Sequence, residues 1–463
     1  MRYPVSLAAV ASLLFTLGGC LSITPSTASV DSESTTAYPP IVFVHGNGDT
    51  AALWHTTMWR FEANGWPRGR LHAIDVPFPS ARDDDAKPQA GRSSTTDHAQ
   101  FLASEVATVR AATGAEKVIL IGNSRGGYAI RNYVQNLGGD AFVSHAVLGG
   151  VPNHGVWAND QRPNNEGSEF FGNGAFLKQL NAPKNTVGDE VIGPVKWLTL
   201  RSDNNDKFAQ PDGVWLGLKG TPTGVTFDGP ALKGATNLVL PARDHREVSF
   251  HPDAFLATWR FITGSAPQTL VIPPEKVVVL NGKINALGIA GLGDFVTNVP
   301  LSGATLEVFS VNAQGERLGA AVHRKTTNDE GMWGPFSGRP DAAYEFVISA
   351  NGYATTHIYR SPFPRSSNVI HMRPARVASA DRTAAAVVTL TRPRGYFGLE
   401  RDVMTLDGKP LAGIVSGVAG GSTAKVTLSG EAGRSVVAEF NGDRITARAW
   451  PVAGNHVTLI ELH

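Results

Sequence analysis

The chain has one cysteine, Cys20, so no disulfide can form within it. It has no charge of one sign to spend either: 41 basic residues stand against 40 acidic ones. No basic stripe or acidic tail stands out, which argues against a nucleic-acid partner. After the N-terminus no apolar run reaches the roughly 18 residues that a membrane-spanning helix needs. His and Cys nowhere take metal-ligand spacing, and no cofactor is called for. The triplet Asp83-Asp84-Asp85 reads as a solvated loop rather than a calcium site.

Glycine and proline are plentiful, at 50 and 29, which predicts many turns and much β structure. Residues 1–20 read as an export signal: Arg2 is a minimal basic head, Val5 to Leu17 is small and apolar, and "LGGC" ends it. That ending looks like a bacterial lipobox, so Cys20 is expected to carry lipid and to tether the body to an outer membrane or cell surface. Residues 21–38 are rich in Ser and Thr, as in a flexible tether.

From 39 to 264 short apolar runs alternate with helical patterns. "PIVFVHG", "KVILIG", "HAVLGG", "VKWLTLRS" and "TNLVLPA" read as buried strands. Residues 96–112 put Phe101, Leu102, Val106 and Val109 on one helical face, and a last helix stops at Gly264. The expected fold is α/β, a mainly parallel sheet with helices on both faces. Beyond 265 the period falls to two, in "TLEVFSV", "YEFVISA", "VVTLTR", "SVVAEF" and "HVTLIEL" among others. Turn dipeptides such as Asp407-Gly408 and Asn441-Gly442 separate several of them. Two sandwich-like β domains are expected, 265–375 and 376–463.

The chemistry centres on "KVILIGNSRGGYAIRNYVQNL", where Gly122-Asn123-Ser124-Arg125-Gly126 joins a strand to a helix. A serine at the tip of such a turn exposes its hydroxyl above the sheet edge, and small residues two before and two after let strand and helix approach. An oxyanion hole needs two backbone N–H groups; Arg125 supplies one, and Asn47 in "VFVHGNGDT" the other. His45 sits in that loop on the wrong side to be a base and reads as structural. The acid and base should follow the serine, each past a strand end. Asp203, Asp206 and Asp212 follow "VKWLTL", and His245 and His251 follow "TNLVLPA". His245, between the last strand and last helix, is the expected base; His251 beside Pro252 suits a helix entry. Asp206 is favoured over Asp203 as the acid from its place in the loop, with Asp212 in a plain turn.

The "HGNG" loop, "NGWPRGRLHAIDVPFPS", "IGNSRGGYAIRNYV", "GGVPNHG" and the "DHRE…AFLATWRFITG" ending resemble a bacterial and archaeal lipase group, and "IYRSPFPRSSN" resembles the C-terminal β domain of an archaeal long-chain lipase. The resemblance implies an α/β-hydrolase domain with a β region that handles long acyl chains. It gives Ser124, His245, Asn47 and Arg125 the nucleophile, base and oxyanion roles. Two departures stand out: Asn123 where such lipases commonly carry His, and Arg125 where they carry Met or Gln. The Arg125 cation either favours acidic or polar substrates or points away. The expectation is a serine carboxylic-ester hydrolase acting on lipid esters through Ser124, Asp206 and His245. A polyester depolymerase is the second enzyme reading, and a non-catalytic surface-binding lipoprotein the third. Residues 152–195, with Phe170, Phe171, Phe176, Leu177 and Leu180, suit a lid or acyl wall and equally an excursion packed on the sheet.

Overall fold

The computed structural model describes residues 38–157, 166–203, 205–210, 220, 223, 224, 226, 228–289, 293–414 and 416–462. The expected signal, Cys20, nearly all of the tether and Asp212 lie outside them. Among the described residues no helix is long and apolar enough to cross a membrane.

Six strands make the first sheet: β1 (Ile41–Val44), β2 (Leu71–Ile74), β3 (Val118–Asn123), β4 (Val143–Gly149), β5 (Lys196–Arg201) and β6 (Thr236–Val239). They pair in the order β2-β1-β3-β4-β5-β6, and every pairing is parallel. The helices are α1 (His55–Ala63), α2 (Thr95–Thr113), α3 (Arg125–Asn136), α4 (Ala175–Leu180), α5 (Glu247–Phe250) and α6 (Pro252–Thr263). Alternation along β1 shows how they sit. Val42 and Val44 join a core with Leu102 and Val106 of α2, Ile130 of α3 and Leu177 of α4. Ile41 and Phe43 join the opposite core with Phe61 of α1 and Phe255 and Trp259 of α6. Period-two side chains need a cover on each face, and the helical stripes supply both.

The helix ends follow local chemistry. Ser94 and Asp97 form a reciprocal capping box at the start of α2, and Gly114 ends it with a left-handed φ of 65°. Asp85 completes that entry, accepting from the Thr95 amide at 2.7 Å and the Thr95 hydroxyl at 2.6 Å. Its neighbours Asp83 and Asp84 pair with Arg92 and Lys87.

The described residues beyond α6 form β structure: β7 (Val278–Leu280), β8 (Asn285–Ile289), β9 (Gly293–Pro300), β10 (Thr305–Ser310), β11 (His323–Thr326), β12 (Phe336–Gly338), β13 (Tyr344–Ser349) and β14 (Thr355–Arg360). There follow β15 (Ala386–Thr391), β16 (Met404–Leu406), β17 (Lys409–Pro410), β18 (Thr423–Leu428), β19 (Ser435–Phe440), β20 (Asp443–Arg448) and β21 (His456–Glu461). The boundary expected near residue 375 does not fall between separate sheets. One seven-stranded sheet runs β11-β10-β13-β14-β21-β15-β18, crossing that boundary where β14 pairs with β21 in parallel. A four-stranded sheet, β17-β16-β19-β20, lies beside it and shares an apolar core with it.

The β region also packs on the α/β half. Trp59 of α1 is buried in a core with Val278, Leu280 and Phe363, and its indole N–H donates to the Ser366 carbonyl at 2.8 Å.

Candidate active site

Strand β3 is buried along its whole length and delivers Ser124 to the head of α3. Ser124 has φ 51° and ψ −123°, a conformation that costs a non-glycine residue roughly 1–3 kcal/mol. Two backbone bonds hold it there, Ser124 N–H to Gly149 O and Gly127 N–H to Ser124 O, both 2.9 Å. The flanking glycines are set by packing. A Cβ on Gly126 would lie 2.5 Å from the Val44 carbonyl oxygen, and one on Gly122 would lie 2.6 Å from Ile130 Cδ1. The hydroxyl does not cap the helix, so the strained turn leaves it available at the top of the sheet.

Asn123, beside it, is fully buried. Its amide donates to the Gly149 and His245 carbonyls at 3.1 Å each and to Ser249 Oγ at 2.8 Å. The residue that replaces the usual histidine therefore ties the serine turn to the loop carrying His245.

Past β5, Asp206 closes on that loop. His245 Nδ1 lies 2.9 Å and 3.0 Å from the two Asp206 oxygens. A carboxylate there fixes Nδ1 as the protonated nitrogen and leaves Nε2 with its lone pair. Nε2 is buried and has no hydrogen-bond partner among the described residues. The Phe208 ring meets the imidazole edge-on at 4.3 Å, and the Phe208 amide donates to Asp206 Oδ1. Asp203 serves the loop instead, accepting from the Asn205 and Ala242 amides at 3.0 and 2.9 Å. His251 Nδ1 accepts the Asp253 amide at the entry of α6. Burial, reinforced by the Arg243 guanidinium, holds that imidazole down at about 4.

The glycine loop after β1 is set by side chains. Asn47 Oδ1 accepts the Ala81 amide at 2.7 Å, and the fully buried His45 accepts the Val76 amide on Nε2 at 3.1 Å. Burial pushes the His45 imidazole down, which suits a nitrogen that must stay an acceptor. Asp49, on the same loop, pairs with Arg246 at 2.6 Å. Across the serine, the Arg125 amide heads α3 and has no intrahelical acceptor.

The Arg125 side chain leaves the site altogether. It is 0% exposed and grips both oxygens of buried Glu169 at 2.7 and 2.8 Å, with further bonds to Pro79 O and to Ser93. Burial pushes the Glu169 carboxyl up while the guanidinium pulls it down. Glu169 belongs to the 152–195 segment. Within that segment Leu177 and Leu180 lie in the sheet core, and Arg131 bonds the Leu180 and Glu190 carbonyls. These residues are packed down, and Phe170 lines the cavity beside the serine.

Ser124 and His245 line one cavity of about 330 Å3, together with Asn47, Asp49, Val156, Phe170, Lys207, Phe208 and Tyr396. Burial, with the Arg246 charge behind it, draws the Lys207 ammonium down to about 8. Its Nζ sits 3.8 Å from the Tyr396 ring centre. Lys207 and Phe208 follow Asp206 directly and had that signal in the sequence. Tyr396 had none, coming from the far β region.

Family models match two stretches of the chain. Residues 39–211 match the family model of the alpha/beta hydrolase fold, and residues 276–377 match that of the lipase C-terminal domain. Among solved structures, the chain is similar to the Bacillus licheniformis lipase BlEst2 in its propeptide form: 15% identity, TM-score 0.35, 67% of this chain and 89% of that one. It is similar to Aspergillus fumigatus lipase B at 16% identity and TM-score 0.34, over 52% of this chain and 56% of the other. A carboxylesterase from Bacillus subtilis matches at 17% identity and TM-score 0.27, covering 49% and 85%.

Proposed function

We propose that this chain, an alpha/beta hydrolase with a lipase-type C-terminal domain, is a serine carboxylic-ester hydrolase that acts on lipid esters. The observation that carries the reading is one cavity holding a strained serine and a histidine whose Nδ1 is on a carboxylate and whose Nε2 has no partner among the described residues. His245 Nε2 takes the Ser124 proton as Oγ attacks the ester carbonyl carbon. The carbonyl oxygen becomes an oxyanion that the Asn47 and Arg125 amides receive. Asp206 stabilises the imidazolium, which then protonates the departing alkoxide and leaves an acyl-Ser124. Water attacks that ester, giving up a proton to His245, and the acid leaves as Ser124 Oγ is reprotonated.

Support for a lipid acyl group comes from the apolar walls at Val156, Phe170 and Phe208. The β region contributes Tyr396 to the cavity, and it is proposed to aid long-chain substrates. Lipidation of Cys20 is proposed to anchor the body at a membrane surface; incorporation of an alkyne-tagged fatty acid should vanish in Cys20→Ala.

The test is an ester panel on the wild type beside Ser124→Ala. p-Nitrophenyl esters of rising chain length and triglyceride emulsions should be hydrolysed by the wild type only, and fluorophosphonate should label Ser124. Preference for polyester film over triglyceride would replace the lipid substrate with a polymer. No hydrolysis and no labelling would leave a binding protein with a hydrolase fold.

A further inference from the structure

The loops bearing Asp206 and His245 both lean on one stretch of the far β region. His245 is flanked by Asp244 and Glu247, which are acids with no place in the ester chemistry. Asp244 is fully buried, and its Oδ2 accepts from Arg392 Nη1 and from the Tyr396 amide, both at 2.8 Å. Its Oδ1 accepts the successive Arg246 and Glu247 amides, at 2.8 and 2.9 Å. Glu247 takes one oxygen to Arg392 and the other to Arg401 Nη1 at 2.9 Å. The two arginines are locked in turn, each donating to the Tyr396 carbonyl at 2.8 Å.

The acid's loop is held from the same side. Asp206 forms a parallel bridge with Ala419, and Lys207 Nζ donates to the Gly420 carbonyl at 3.2 Å. Arg246, next to His245, lies over the Tyr396 ring at 4.6 Å and carries the linkage on to Asp49 in the Asn47 loop.

From this convergence we infer that Arg392 and Arg401 are positioning residues: through Asp244 and Glu247 they set the His245 ring against Asp206 and Ser124, so the β region completes the acid–base pair and not only the substrate wall. The inference deepens the ester-hydrolase reading and rests on it. Two forked guanidiniums on two buried carboxylates fix direction as well as distance, which a lone ammonium does not. A base loop released by about 1 Å loses on the order of 100-fold in turnover. Substrate binding in the wall of Phe170 and Val156 is untouched by it.

The experiment uses the full chain and p-nitrophenyl acetate, an ester too short to need an acyl-handling surface. Arg401→Met should lower kcat by about 100-fold with KM within about threefold, and Arg401→Lys should recover some of the lost kcat. The far-downfield proton of the Asp206–His245 bond in proton NMR should be present in the wild type and lost or broadened in Arg401→Met. If Arg401→Met does not fold, Glu247→Gln, which keeps shape and most hydrogen bonds, gives the same readings at smaller size. Unchanged kcat and an unchanged downfield proton in a folded variant would overturn the inference, as would a rise in KM at constant kcat. An inactive wild type would defeat the ester-hydrolase reading; the NMR signal would still decide the positioning.

Discussion

Two of the loops at the top of the sheet are built on opposite plans. The turn after β3 holds Ser124 with what lies within a few residues and the two neighbouring strands: two glycines, a helix head, the carbonyls of Val44 and Gly149. The turn after β6 holds His245 with residues about 150 positions away, Arg392 and Arg401. The first is rigid because a sheet cannot give without losing its ladder. The second has no ladder beyond β6, an edge strand that is half exposed, and so depends on partners outside the domain. The proposed nucleophile thus rests on the parallel sheet and its helix, while the proposed base and acid rest on the whole chain.

That contrast can be broken at several points, in falling order of effect. Ser124→Ala should remove on the order of 10⁶ in kcat with an unchanged melting temperature, read on a soluble ester. Asp206→Asn should cost about 10⁴-fold through the wrong imidazole tautomer. Asp203→Asn belongs to the loop rather than the pair, so it should keep kcat within about tenfold of wild type in the same assay, losing mainly stability. Equal losses for the two aspartates would undo the assignment.

Glu169→Ala leaves the Arg125 guanidinium buried without its carboxylate and should cost about 3–5 kcal/mol in urea unfolding. The same change should hardly alter preference between neutral and acidic esters, because the Arg125 side chain does not reach the cavity. A shift in that preference would place the cation back in the site.

The smallest effect is on pH. His251 caps α6 as a neutral acceptor, and its folded value is about 4 against an ordinary 6.5. Below 6.5 the unfolded chain takes up the proton and the folded one does not, so the stability present above 6.5 drains away down to about 4. With partial exposure the loss is on the order of 1 kcal/mol. Melting curves at pH 7 and 5 should show it, and His251→Asn, which keeps a capping oxygen, should flatten the difference.

Much of this was legible in advance, and unevenly. The strands β1, β3, β4 and β5 announce themselves as apolar runs because both faces of a parallel sheet are covered. Strand β2 does not, since "LHAI" is four residues long and only its ends are buried. Helix α1 escapes as well: "HTTMWRFEA" opens on threonines, and its Trp59 faces a different core from its Phe61. Asp206 stands out over Asp203 by place in the loop, although only coordinates show which carboxylate meets Nδ1. The two β domains expected after 265 share a sheet because β14 and β21 pair across about 100 residues, a choice that leaves no local period.

What the sequence alone determined is what short-range sterics and burial impose: the glycine-framed serine turn, the alternation that makes a doubly covered sheet, the hairpin turns at Asp407-Gly408 and Asn441-Gly442, whose four residues all take positive φ. The direction of Arg125, the identity of its partner Glu169, the reach of Tyr396 into the cavity, and that of Arg392 and Arg401 to the acids beside His245 were decided by tertiary structure. Buried charges and loop ends have no intrinsic partner. They take whichever opposite charge the packed chain brings within hydrogen-bond distance, and in this chain that charge comes from far along the sequence.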